Sequence, residues 1–193
     1  MKKNQDQIAL LGTSADPPTC GHQALLEGLL KLFPKVVTWA SNNPMKQHGA
    51  SLSNREILLK TLVVAIANPN LEVVQELSSP WTLTSLKKAS ILWPNKNLVF
   101  VIGSDLCEQI PSWFQINEVL QNTHLGIVPR EGWPVEKSHL DALKLLGAQI
   151  EVLPLQIPGS ASSSIRNDKK TTEVPPVLMP VLVKHNLYDL KAN

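Results

Sequence analysis

A chain of 193 residues and 21.2 kDa is the size of one domain, so one core over residues 1–193 is expected. Apolar residues make up 43% and charged residues 18% of it, against roughly 25% charged in an average soluble protein, which excludes disorder driven by excess charge. The net charge is +2 and no block of five like charges occurs, which disfavours nucleic-acid binding through a broad basic field. Behind Lys2 and Lys3 the apolar run Ile8, Ala9, Leu10, Leu11 is too short for an export signal. The stretches at 58–67 and 98–102 fall short of the ~20 residues that span a bilayer. A cytoplasmic protein outside the membrane is expected. Cys20 and Cys107 form no CxxC pair and have no histidine cluster beside them, which reads as two reduced thiols with no protein-held metal.

In chain order, short β-branched runs alternate with longer segments of helical period. The strands are expected at 8–12, 36–41, 71–75, 98–103, 123–128 and 149–155. Helices are expected at 21–33, where Leu25, Leu26, Leu29, Leu30 and Phe33 keep helical spacing, and at 57–67 behind a capping box of Ser53, Asn54, Arg55 and Glu56. Three more are expected at 82–92, 135–146 and 175–185. This alternation predicts an α/β, Rossmann-like, doubly wound and mainly parallel sheet with helices on both faces. In such folds ligands sit at the carboxyl ends of the strands, where loops run into helix N-termini that favour anions. The polar residues just after each strand therefore carry the question of function.

No GxGxxG and no GxxxxGK occurs among the nine glycines, so phosphate must be held in another way. After the first strand, Thr19, Gly21 and His22 offer a hydroxyl, a close backbone approach and an imidazole at the first turn of a helix. The alternative is that Thr19 only caps that helix and His22 is a surface or half-buried residue. After the sixth strand, Ser162, Ser163 and Ser164 followed by Ile165 and Arg166 place hydroxyls and N–H groups at a helix start, with a guanidinium about one turn in. A solvated serine loop is the alternative for that segment alone. Two anion sites on one sheet, with Asp105 after a strand between them, point to a nucleotide.

The T-x-G-H loop and the segment Ser160-Ala161-Ser162-Ser163-Ser164-Ile165-Arg166 resemble the (H/T)xGH and ISSTxxR signatures of the nucleotidyltransferase superfamily. More narrowly, the chain is similar nearly end to end to bacterial nicotinate-nucleotide adenylyltransferases. That resemblance implies transfer of AMP from ATP to nicotinate mononucleotide, with magnesium carried on ATP, and these two small molecules as partners in place of nucleic acid or membrane. Asn43-Pro44-Met45-Lys46 resembles the family's Pro-Pro-His-Lys loop. Ser79-Pro80-Trp81-Thr82 is similar to the segment that holds the pyridine carboxylate. Gly103-Ser104-Asp105 with Trp113 resembles the Gly-x-Asp segment and the ring-stacking tryptophan. The chain departs from the family where Gly-Gly-Thr-Phe-Asp-Pro becomes Gly12-Thr13-Ser14-Ala15-Asp16-Pro17, and where the isoleucine and first serine of the late signature become Ser160 and Ala161.

The resemblance implies Thr19, His22, Arg166 and Lys46 as the catalytic set, with His22 on the reacting α-phosphate and Arg166 on the leaving pyrophosphate. ATP would also meet Gly12, Thr13, Ser14, Gly103, Asp105, Ser162 and Ser163. The mononucleotide would meet Trp81, Thr82, Trp113, Lys46 and Arg130. Arg55 and Arg130 are open to a structural reading as ion-pair partners, and His48, His124, His139 and His185 read as surface residues. A nicotinamide or phosphopantetheine acceptor, a nucleotide sensor without turnover, and assembly into a homo-oligomer stay open.

Overall fold

The structure, a computed structural model, describes residues 5–190, so Lys2 and Lys3 lie outside the described residues. Six strands form one sheet: β1 (Gln7–Thr13), β2 (Lys35–Ala40), β3 (Leu71–Val73), β4 (Asn97–Gly103), β5 (His124–Val128) and β6 (Gln149–Val152). Their order is β3-β2-β1-β4-β5-β6 and every pairing is parallel. The helices are α1 (Cys20–Leu32), α2 (Leu52–Ile66), α3 (Thr82–Leu92), α4 (Ile116–Asn122), α5 (Lys137–Leu145), α6 (Ser162–Asp168) and α7 (Met179–Lys184).

The strands read as continuous apolar runs because both faces of the sheet are covered. Successive side chains point to opposite faces. On one face Ala9, Leu11, Val36, Val99 and Val101 pack against Leu26 and Leu29 of α1, Leu58 and Leu62 of α2, and Leu182 of α7. On the other, Ile8, Leu10, Val37, Phe100 and Ile127 meet Leu83 and Leu86 of α3, Val119 of α4 and Leu143 of α5. The chain leaves β1 toward β2 and leaves β4 toward β5, so the two central strands part company at their carboxyl ends. That reversal opens a crevice between Gly12 and Gly103.

Several element ends differ from the sequence-based expectation, each for a local reason. Helix α2 starts five residues early: Ser51, not Ser53, is its cap and accepts from the Asn54 N–H at 3.2 Å, while Glu56 pairs with Lys60. Strand β3 stops at Val73 because the Gln75 side chain takes over the edge of β2. Its amide accepts from the Ala40 N–H at 3.0 Å and donates to the Ala40 carbonyl at 2.9 Å. Strand β6 ends at Val152, ahead of Pro154. Helix α4 was not expected; its seven residues follow Gln115, which adopts a left-handed φ of 52°. The closing segment divides after Leu178 into a short 3₁₀ turn (Pro176–Leu178) and α7, with Pro180 in the first turn of α7, where its missing N–H is tolerated.

Gly12 stands opposite Trp39 in the β1–β2 register, and a Cβ there would meet the indole at 2.8 Å. The indole fills the space that a side chain would take. Gly12→Ala is therefore expected to destabilise the fold by about 1–3 kcal/mol through overpacking. Urea unfolding of the two proteins measures it.

Candidate active site

Helix α1 begins inside the crevice. Thr19 is its cap and lies fully buried, and its hydroxyl accepts from the His22 N–H at 3.3 Å. In return the Thr19 N–H donates to His22 Nδ1 at 3.1 Å, closing a capping box with histidine in the place usually held by glutamate. A backbone N–H can only donate, so Nδ1 is an acceptor and the imidazole carries its proton on Nε2. Nε2 lies 2.9 Å from Thr13 Oγ1. The cap reading of Thr19 thus holds, and capping fixes the tautomer of His22 and turns Nε2 toward Thr13 Oγ1 in the crevice wall.

Asp16 follows Ala15, which has a left-handed φ of 47° and whose N–H donates to Thr13 Oγ1 at 3.3 Å. The Asp16 carboxylate is 1% exposed. It accepts from the Gly49 N–H at 2.8 Å, the Ala50 N–H at 3.1 Å and the Tyr188 hydroxyl at 2.7 Å. Arg166 reaches the same residue, donating to the Asp16 carbonyl at 2.5 Å with Oδ2 at 3.5 Å. His48 also belongs here. It was expected on the surface, yet its Nδ1 lies 3.6 Å from Asp16 Oδ2 and its Nε2 is buried. Burial pushes its pKa below the ordinary histidine value, helped by Arg55 and opposed by Asp16. Arg55 is 1% exposed and structural: it donates to the carbonyls of Ser14 and Ser41 at 2.8 Å and of Ala50 at 3.3 Å.

The late serine segment forms the N-terminus of α6, as expected. Its hydroxyls are not all free, however: Ser162 Oγ donates to the Pro17 carbonyl at 2.8 Å, whereas Ser163 is exposed. Across the crevice Asp105 forms an ion pair with Arg130 at 2.9 Å. Arg130 also donates to the Ser160 carbonyl at 3.2 Å, so much of its hydrogen-bonding fork is engaged within the protein. Lys46 is exposed on the segment after β2 and lines the same cleft.

The cleft encloses about 890 Å³, within the ~300–1,000 Å³ usual for small-molecule sites. Its lining includes the polar groups Thr13, His22, Lys46, Arg130 and Arg166. It is also aromatic. Trp113 is half-buried and meets Phe100 edge-on at 6.3 Å, while Trp81 is 47% exposed and leans on Phe114 at 4.9 Å. Thr82 is the first residue of α3, directly beside Trp81, and the first-turn N–H groups of that helix face no side-chain cap.

The profile of the cytidylyltransferase-like family matches residues 10–173. A "probable nicotinate-nucleotide adenylyltransferase" of Synechocystis sp. is 37% identical over 157 residues, covering 76% of this chain and 78% of the relative. One of the same name from Rhodopirellula baltica is 29% identical over 176 residues, covering 83% and 80%. The chain belongs to the cytidylyltransferase-like family. A Plasmodium falciparum nicotinic acid mononucleotide adenylyltransferase complexed with NaAD superposes with a TM-score of 0.78 at 20% identity, over 96% of this chain and 98% of the other. That likeness shows the same fold.

The crevice gathers the residues read from the two signatures of this cytidylyltransferase-like chain. Sequence reasoning missed His48 and the hub role of Asp16. Asp16 was visible only as a letter of the first motif, and His48 had no pattern around it. His22 has a pKa lowered to about 4, first by burial and then by Arg130 and Lys46. Between the ordinary histidine value of ~6.5 and about 4, the unfolded chain binds a proton here that the folded chain refuses. Stability therefore falls as the pH drops through that window, and His48 adds to the slope with the same sign. A ring-carbon NMR titration of His22 is expected to show its midpoint near pH 4. A midpoint between 6 and 7 would contradict this environment.

Proposed function

We propose that the protein transfers AMP from ATP to nicotinate mononucleotide, releasing pyrophosphate and forming nicotinate adenine dinucleotide, a step of NAD biosynthesis, in the cytoplasm. One observation carries the reading. His22 at the start of α1 and Arg166 in α6, 144 positions apart in sequence, line one cleft together with the aromatic Trp81 and Trp113. The shared name of the curated relatives supports the same acceptor.

The mononucleotide's phosphate oxygen forms a bond to the α-phosphorus of ATP, and the bond from that phosphorus to the bridging oxygen breaks, its electron pair leaving with pyrophosphate. A phosphate monoester, with a second pKa near ~6, is already ionised at pH 7, so no general base is needed. Catalysis then rests on orienting two polyanions and stabilising charge that moves to the leaving group. The α1 N-terminus with Thr19 and His22 faces the α-phosphate, neutral His22 carrying its one proton on Nε2. Arg166 with the α6 N-terminus and Ser163 meets the pyrophosphate, and Lys46 comes from the loop to the phosphates. Asp105, held by Arg130, offers its remaining acceptor capacity to ribose hydroxyls.

Trp113 and Trp81 give flat faces to the pyridine ring. The start of α3 at Thr82 receives its carboxylate, which favours the acid over the amide.

Magnesium supplies charge neutralisation on the triphosphate. Among the described residues no cluster of three or more His, Cys, Asp or Glu groups could hold an ion. The two cleft carboxylates, Asp16 and Asp105, already accept from protein donors. The donor set therefore fits a metal that arrives as part of the ATP substrate, not a resident one.

Purified protein given ATP and magnesium is expected to release pyrophosphate fastest with nicotinate mononucleotide, ahead of nicotinamide mononucleotide and phosphopantetheine. ATP binding without release would replace the enzyme by a sensor. In the same assay His22→Ala is expected to lower kcat by ~10²-fold, the scale of one lost preorganised donor. Trp113→Ala is expected to raise KM for the mononucleotide more than KM for ATP. Equal rises would make Trp113 a core residue only.

A further inference from the structure

The hydrogen bonds around His22 form one directed chain. The Gly21 N–H donates to Ser160 Oγ at 2.8 Å, and Ser160 donates to Thr19 Oγ1 at 3.0 Å. Thr19 Oγ1 lies 2.8 Å from His22 Nδ1. Nδ1 carries no proton, since it accepts the Thr19 N–H, so the Thr19 hydroxyl must be the donor in this contact. Nε2–H then donates to Thr13 Oγ1 at 2.9 Å. Thr13 Oγ1 accepts a second bond from the Ala15 N–H. With both acceptor positions engaged, the Thr13 hydroxyl keeps its own proton, which finds no acceptor among the described residues, on a side chain that lines the cleft.

We propose that the Thr13 hydroxyl is the donor that meets the transferred α-phosphate, and that Ser160, Thr19 and His22 align and polarise it from behind. The inference rests on the adenylyl-transfer reading and assigns a different atom to the contact with phosphate. For Nε2 to reach a ligand directly, Thr13 would have to leave both the imidazole and the Ala15 N–H, against the stiff χ1 of a β-branched residue. A ligand oxygen that instead accepts from the Thr13 O–H displaces nothing. Aligned donors in a low-dielectric chain strengthen one another, so the far members contribute through the near one. The proton stays on Thr13 throughout; the interaction is a hydrogen bond, not a proton transfer.

The two ends of this chain are also the positions where the sequence departs from its family signatures. Thr13 stands where the first signature has glycine, and Ser160 where the late one has isoleucine. A hydroxyl inserted in front of the imidazole and another inserted behind it are the two changes needed to extend a histidine donor by one link. A Cβ on Gly21 would collide with Ser160 Oγ, so the rear link also depends on glycine at that place. The neutral state of His22 agrees with this arrangement, since a ring that accepts at Nδ1 has one proton to pass forward.

Pyrophosphate release with ATP, magnesium and nicotinate mononucleotide tests the assignment. Thr13→Val keeps the shape and removes the hydroxyl; it is expected to lower kcat at least tenfold while KM for the mononucleotide changes less than twofold. Thr13→Ser is expected to recover at least a third of the wild-type kcat. In the Thr13→Val background, His22→Ala is expected to cost less than a further threefold, because the two residues act as one unit.

Ser160→Ala reads the other end of the chain. It is expected to lower kcat and to shift the ring-nitrogen NMR signals of His22 in a folded protein. A Thr13→Val fall of less than tenfold, a Thr13→Ser recovery of less than a third, or a further cost of threefold or more on His22→Ala overturns the assignment while leaving adenylyl transfer in place. So do unmoved His22 signals in Ser160→Ala. Wild-type protein that releases no pyrophosphate overturns both readings.

Discussion

The crevice depends on one buried carboxylate. The Asp16 side chain is almost wholly withdrawn from water, a state that is costly for a carboxyl group unless donors surround it. Its partners come from three separate places: the Gly49 and Ala50 N–H groups ahead of α2 and the Tyr188 hydroxyl near the C-terminal end of the described chain donate to it, and the Arg166 guanidinium of α6 pairs with it at 3.5 Å while donating to the Asp16 carbonyl. Satisfying Asp16 therefore forces four distant segments to converge. Gly49 shows how tightly: a Cβ there would lie 2.8 Å from Arg166 Cδ and 3.0 Å from the Tyr188 ring. Arg55 does the complementary work with a buried cation, tying the carbonyls of Ser14, Ser41 and Ala50 across the ends of β1, β2 and the start of α2. Tyr188 stays a phenol, its pKa raised by burial and by the bond to Asp16.

The electrostatics of the cleft follow from how each charge is held. Arg166 and Arg130 are each paired with an aspartate, so their positions are fixed before any ligand arrives. Preorganised donors need no reorganisation when charge moves in the reaction, which is why they lower a barrier more than mobile ones do. Lys46 is the contrast, exposed on its loop. His22 is kept neutral by burial and by its cationic neighbours, so it adds hydrogen-bond direction, and the arginines and the lysine supply the net positive charge.

The parts legible in the sequence were those encoded locally. The apolar runs of β1 and β4 and the leucine spacing of α1 announced the sheet and its covering helix, because a strand buried on both faces has no polar alternation to confuse it. The T-x-G-H and Ser-Ser-Ser-Ile-Arg segments announced the starts of α1 and α6, the first because a side-chain cap is a short-range device. What escaped was encoded between segments. Two overlapping caps competed for α2, Ser51 with Asn54 and Ser53 with Glu56. The first won because Asp16, 34 positions before Ala50, pins the Ala50 N–H and so sets where the helix can begin. His48 and Tyr188 found their places through the same carboxylate, which no periodicity in their neighbourhood reports.

That division also explains where the chain tolerates departure from its family. Residues that meet Asp16 or Arg55 each serve several segments at once, and a change in one strands buried polar groups in the others, at about 1–3 kcal/mol for each group left unpaired. The chain Gly21–Ser160–Thr19–His22–Thr13 is different, since each hydroxyl in it touches only its two neighbours and the backbone. A linear network of this kind can gain a link at either end without disturbing the hub. It must still keep one direction of donation from the first N–H to the last hydroxyl. Thr13 and Ser160 satisfy that condition together. Removing the hydroxyl of Ser160 alone would leave the Gly21 N–H and the rear of Thr19 without their partner in a half-buried site. The two departures are thus physically linked through the imidazole between them, although 147 positions separate them in the chain.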